Sequence, residues 1–119
     1  MQYMLLIFDD EQVMHSAIQE AGFEAYMAPW MSYSDELQKA GVMVSGEPLS
    51  DGHTASTVSM RDGKRQVQDG PFIDSKEQLG GFYIIDVPNL DDALGWAEKC
   101  PAASTGYVEV RPIADFSGA

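Results

Sequence analysis

The chain has 119 residues, 45% of them hydrophobic and 22% charged, enough for one packed core and too few for two. Nineteen acidic residues against seven basic ones leave a net charge of −12, a surface that repels phosphate backbones and anionic lipid headgroups and argues against direct nucleic-acid binding. No run of about eighteen apolar residues predicts a membrane span, residues 1–9 lack the basic region and cleavage site of a secretory signal, and the lone Cys100 has no partner for an internal disulfide, so the expected home is the reducing cytoplasm.

Residues 3–8, Tyr-Met-Leu-Leu-Ile-Phe, are apolar without interruption and read as a central strand covered on both faces, with Asp9, Asp10 and Glu11 as its polar exit. From about residue 16 to 40 the pattern is helical: Phe23, Tyr26, Trp30, Tyr33 and Leu37 recur at intervals of three and four as one core-facing stripe, and Gly41 is the stop. Pro29 costs about 3 kcal/mol inside a helix and predicts either a kink or two helices meeting there. Residues 42–45 read as a short strand closed by Gly46-Glu47-Pro48, and Asp51-Gly52 marks a turn in the loop that follows.

Residues 54–61 and 64–68 flank Asp62-Gly63, whose type I′ preference makes a hairpin. Asp69-Gly70-Pro71 then reverses the chain. Asp74-x-x-Glu77 and Ser75-x-x-Gln78 both fit a capping box and predict one helical turn, stopped by Gly80-Gly81. Residues 82–87 form a second strand apolar on both faces. Asn89 caps a helix whose buried face is Leu90, Ala93, Leu94 and Ala97, and which ends at Cys100-Pro101; Cys100 reads as a small, semi-buried residue there. Residues 107–112 alternate and end at Pro112, as an edge strand does.

The order β-α-β, hairpin, β-α-β in one domain spanning residues 1–119 is α+β and ferredoxin-like, with an inserted hairpin on an antiparallel sheet. Two helices cover only one face of that sheet, while two of its strands are apolar on both. The expected cover for the second face is another copy of the chain, packed sheet to sheet about a two-fold axis, with a cavity where the sheets splay.

At Asp69-Gly70-Pro71-Phe72, followed by Lys76-Glu77-Gln78-Leu79-Gly80-Gly81-Phe82-Tyr83, the chain resembles the YCII-related family and, within it, the DGPF-domain branch. The likeness extends to residues 3–7, to Leu37-x-x-Ala40-Gly41, to Asp91-x-Ala93-Leu94 with Cys100-Pro101-Ala102-Ala103, and to residues 108–112. It implies a dimeric α+β barrel of ferredoxin-like protomers, similar in fold to muconolactone isomerases, and a connection with extracytoplasmic-function sigma factors, but no settled reaction. Related proteins have a His and an Asp proposed as an active pair in the first half of the chain; no motif aligns His15 or Asp35 with them, and neither role is carried over.

Hairpin register brings His53, entering the first arm, and Asp69, leaving the second, to one end, with Lys76 and Glu77 on the turn beyond. A histidine beside a carboxylate keeps one tautomer and moves protons near neutral pH, which makes Asp69, Glu77 and His53 the candidate catalytic groups and Phe72 and Lys76 the candidate binding residues. Each also has a plain structural reading: Asp69 as a turn acceptor, Glu77 as part of a cap, Lys76 as its surface partner, His53 as a solvated side chain. The histidines match no common zinc spacing, and no P-loop, Rossmann glycine pattern or G-x-S-x-G occurs, so neither metal nor cofactor is expected. Two functions stand open: a homodimeric small-molecule enzyme of isomerase or lyase type with its pocket near the DGPF turn, and a non-catalytic dimeric module linked to sigma-factor-dependent transcription.

Overall fold

The computed structural model describes residues 1–118. In chain order they form β1 (Gln2–Asp10), α1 (Glu11–Ala21), α2 (Phe23–Lys39), β2 (Met43–Pro48), a single 3-10 turn (Gly52–Thr54), β3 (Ser56–Arg61), β4 (Lys64–Asp69), β5 (Glu77–Asp86), α3 (Leu90–Lys99), the short α4 (Ala102–Thr105) and β6 (Tyr107–Pro112). A four-stranded antiparallel sheet runs in the order β2-β5-β1-β6, which is ferredoxin-like, and β3 and β4 form a separate two-stranded sheet. Pro112 does end an edge strand.

Strand alternation divides β1 and β5 between two faces. Tyr3 pairs with Ile85 and Leu5 with Tyr83, and these side chains, with Ile7, are buried against Tyr33 and Leu37 of α2 and Ala93 and Ala97 of α3. Met4 pairs with Ile84 and Leu6 with Phe82 on the opposite face, which carries no helix, and there the same strands are only half-buried. The apolar runs therefore mean what they predicted: central strands with two greasy faces, one of them uncovered by the chain's own helices. Tyr33 ties the covered layer together. Its hydroxyl donates to the Trp96 carbonyl at 2.6 Å, and its ring meets Tyr83 edge-on at 5.4 Å.

The structure corrects the expected elements in three places. The long helix breaks at Gly22, whose φ of 89° lies outside the helical region, and not at Pro29, which α2 accommodates. Asp10 caps α1 by accepting from Gln12 N at 2.9 Å, which starts that helix five residues before the predicted start at Ser16. Residues 74–79 make no helical turn: Glu77 and Gln78 pair with Asp10 and Asp9 in the β1–β5 ladder, so their backbone groups are satisfied by the sheet. Gly80-Gly81 accordingly lies inside β5. The register shifts there, Ile7 facing Gly81 and Phe8 facing Leu79, and a Cβ on Gly81 would meet the Glu47 carbonyl of β2 at 2.8 Å. In α3 the buried face is Ala93 and Ala97 with part of Trp96, while Leu90 and Leu94 stay 48% and 46% exposed. The Asn89 cap is as expected, its side chain accepting from Asp92 N at 2.9 Å.

Leu37 is fully buried at the centre of the helix layer. Leu37→Ala should lower unfolding free energy by about 2–5 kcal/mol, read as an earlier urea midpoint with an unchanged slope. Cys100 is 3% exposed, and burial pushes its thiol up to about 11. At pH 8 roughly one thiol in a thousand is then thiolate, so iodoacetamide should label native protein only slowly and urea-unfolded protein at the rate of a free thiol; equal rates would contradict the burial.

Candidate functional site

The DGPF turn is built by the hairpin beneath it. Ser56 pairs with Asp69, Gly70 N donates to the Ala55 carbonyl at 2.7 Å, and the Thr57 hydroxyl donates to the Gly70 carbonyl at 3.0 Å. Gly70 has a φ of 96°, which L side chains rarely adopt, so the reversal before Pro71 needs glycine. Beside the turn is an open groove of about 720 Å³ whose walls include Asp10, Glu11, His53, Asp69, Asp74 and Lys76.

Of the five residues singled out from the sequence, His53, Asp69 and Lys76 therefore share one groove. Lys76 Nζ lies 3.9 Å from Asp10 Oδ2 and not against Glu77. Glu77 is outside the lining, on β5 opposite Asp10, and Phe72 is 80% exposed to solvent. The groove is strongly acidic, and an anion entering it has Lys76 as its nearest cation among the described lining residues.

A contact that sequence reasoning passed over holds the floor of this region. Glu11 and His15 sit one turn apart on α1. The Glu11 carboxylate accepts from Gly52 N at 3.1 and 3.0 Å, and His15 Nε2 lies 2.7 Å from Asp51 Oδ2. The hydrogen bond from His15 holds the Asp51 carboxyl below its usual range, with the imidazole charge a smaller cause. The two ends of the pair are 36 residues apart; the i, i+4 spacing of Glu11 and His15 was the visible signal, and its target was not.

A second groove, of about 580 Å³, lies on the helix side and is walled by Tyr26, Trp30 and Tyr33 of α2, with Asp9, Lys99 and Thr105 closing its polar end. Pro29 lines it too, and having no N–H it leaves the Ala25 carbonyl, another lining residue, without that helical donor. Asp9 takes the Thr105 hydroxyl at 3.2 and 3.3 Å, yet burial outweighs that bond and raises its carboxyl above the ordinary 3.8. The Tyr26 hydroxyl is raised as well, first by burial and then by the charge of Asp9. The groove therefore holds a carboxyl and a phenol whose protonated forms are both favoured, chiefly by burial. The sequence hid this because the aromatic stripe reads as core, and it is core only from Tyr33 to Leu37: Phe23 is 64% exposed, and Tyr26 and Trp30 are half-buried.

Among the described residues no three His, Cys, Asp or Glu side chains converge to hold a metal ion. Among the described residues no helix is long and apolar enough to cross a membrane.

An uncharacterised protein of Rhizobium meliloti is 38% identical over 116 residues, covering 96% of this chain and 93% of its own. Among solved structures, 5-chloro-2-hydroxyhydroquinone dehydrochlorinase (TftG) from Burkholderia phenoliruptrix, in complex with 2,5-dihydroxybenzoquinone, is similar at a TM-score of 0.54 and 17% identity, over 96% of this chain and 94% of that one. At that identity the likeness speaks for the fold, and it agrees with the ferredoxin-like sheet order and one-sided helix layer. The YCII-related domain matches residues 1–117, and the chain accordingly belongs to the YCII-related family.

Proposed function

We propose that the protein works as a cytoplasmic homodimer that binds a small molecule in the Tyr26–Trp30–Tyr33 groove and moves a proton through Asp9, with no cofactor. The observation that carries this reading is a carboxyl raised by burial and bonded by the Thr105 hydroxyl, in an aromatic-walled groove that it shares with the Tyr26 phenol. An enzyme of the same fold that holds a dihydroxybenzoquinone supports a planar, oxygen-rich ligand. The open sheet face, where Met4, Leu6, Phe8, Phe82 and Ile84 are only half-buried, supports the dimer in this reading.

The DGPF groove supports a second reading of the same chemistry. There Asp69 and His53 carry the proton, Lys76 binds, and Glu77 and Phe72 take part only if the ligand reaches beyond the present lining. A non-catalytic regulatory dimer linked to sigma-factor-dependent transcription would use the same grooves for binding alone.

Trp30 makes the first reading measurable, because 2,5-dihydroxybenzoquinone bound in its groove quenches its fluorescence. Saturable quenching is expected, lost in Trp30→Phe, at least tenfold weaker in Asp9→Asn, and unchanged in Asp69→Asn and His53→Gln. The opposite pattern moves the site to the DGPF groove. No quenching below about 1 mM, with no small molecule retained by native mass spectrometry, overturns both.

The raised Asp9 carboxyl has its own pH signature. Folding favours its protonated form, so that contribution is complete below the ordinary 3.8 and is lost as pH rises through the raised value. Asp9→Asn should therefore gain stability relative to wild type between about pH 4 and pH 7 in thermal melts.

A further inference from the structure

The β3–β4 hairpin has no use in either groove except at its base. It stands apart as its own two-stranded sheet, and every residue of β4 is exposed. Cross-strand pairing of Val58 with Val67 and of Met60 with Arg65 puts Val58, Met60 and Val67 on one face, where they are 59%, 57% and 54% exposed. The other face, Thr57 with Gln68 and Ser59 with Gln66, is polar. A lone two-stranded hairpin is marginal in water, and this one shows its apolar side to solvent. Phe72 and Ile73, just past its base, are 80% and 68% exposed.

The surface area says how much cover is missing. The chain exposes 8301 Å², whereas a compact monomer of 13.0 kDa exposes about 6,300 Å², an excess of about 2,000 Å². The radius of gyration is 16.5 Å, against about 13.5 Å for a compact domain of this length, and the molecule is a slab 17 Å thick. The open sheet face falls short of that excess: four strands about 4.8 Å apart and six residues long give a flat footprint of roughly 400 Å². A stable pair of protomers needs about 800 Å² from each, more than that sheet footprint, and the exposed Val58, Met60 and Val67 of the hairpin are apolar surface available to add to it.

We propose that the hairpin is a dimer arm, its Val58–Met60–Val67 face, with Phe72 and Ile73, packing on a second copy of this chain. This rests on the homodimer reading above and goes beyond it, since sheet-to-sheet contact alone leaves the arm bare. Because Gln68, Asp69, Gly70 and Pro71 line the DGPF groove from the arm's base, docking of the arm also sets the width of that groove.

Sedimentation velocity over a concentration series, with hydrogen exchange followed by mass spectrometry, tests it on three proteins: wild type, Val58→Lys/Val67→Lys, and the milder Val58→Thr/Val67→Thr. Lysine lowers the net negative charge but sets new cations beside Arg65, so the uncharged threonine variant is what separates lost apolar contact from local repulsion. Wild type should be a dimer with protected amides in residues 56–69. The lysine variant should dissociate at least a hundredfold more readily, with those amides exchanging freely while α2 stays protected, and the threonine variant should lie between. A wild-type dimer matched by both variants in affinity and hairpin protection overturns the arm and leaves the homodimer standing; monomeric wild type overturns both, and Leu6→Lys, on the sheet face, then has no dimer to disrupt.

Discussion

Two strands that are apolar on both faces set the terms for this molecule. Burying a large aliphatic or aromatic side chain completely is worth about 1.5–3 kcal/mol over leaving it in water, and β1 and β5 present such side chains in both directions. The helices satisfy one direction. Tyr33 concentrates that solution in a single side chain, bonded to the α3 backbone and set edge-on against Tyr83, whose own hydroxyl meets Ser34 at 2.8 Å. The other direction is left unmet within the chain, and the molecule is correspondingly flat, a slab 17 Å thick.

Strand alternation also explains why there are two grooves rather than one. Asp9 and Asp10 are neighbours at the exit of β1, and successive side chains of a strand point to opposite faces. Asp9 continues the row of Tyr3, Leu5 and Ile7 to the helix side, among aromatic rings. Asp10 goes the other way, caps α1 and faces Lys76. Two chemically identical residues thus meet different environments, one partly desolvated, the other at a helix N-terminus where a negative charge is welcome.

The helix-side groove is lined in part by a residue that looks like a fault. Pro29 sits in the middle of α2 and leaves a helical carbonyl without its donor, in a stretch where Tyr26 and Trp30 are also left partly uncovered. An element optimised only for packing would do neither.

Much of the architecture was legible in the chain. Uninterrupted apolar runs marked the central strands, Asp62-Gly63 the hairpin with its positive backbone angles, Asn89 the cap of α3, and Pro112 the sheet edge, because each rests on chemistry within a few residues of itself. His53 and Asp69 do line one groove, Asp69 through the hairpin register and His53 from the 3-10 turn that precedes the hairpin. What could not be read there depends on partners far along the chain. Glu77 and Gln78 have the spacing of a helix cap, but Asp9 and Asp10 offered them a sheet ladder, and the ladder won. Asp51 found His15, and Asp9 found Thr105, across distances that no local pattern encodes. Local sequence decided which segments became strands and helices; which carboxyl lost its water was decided only when those segments packed, because desolvation belongs to the neighbours a residue acquires and not to the residue itself.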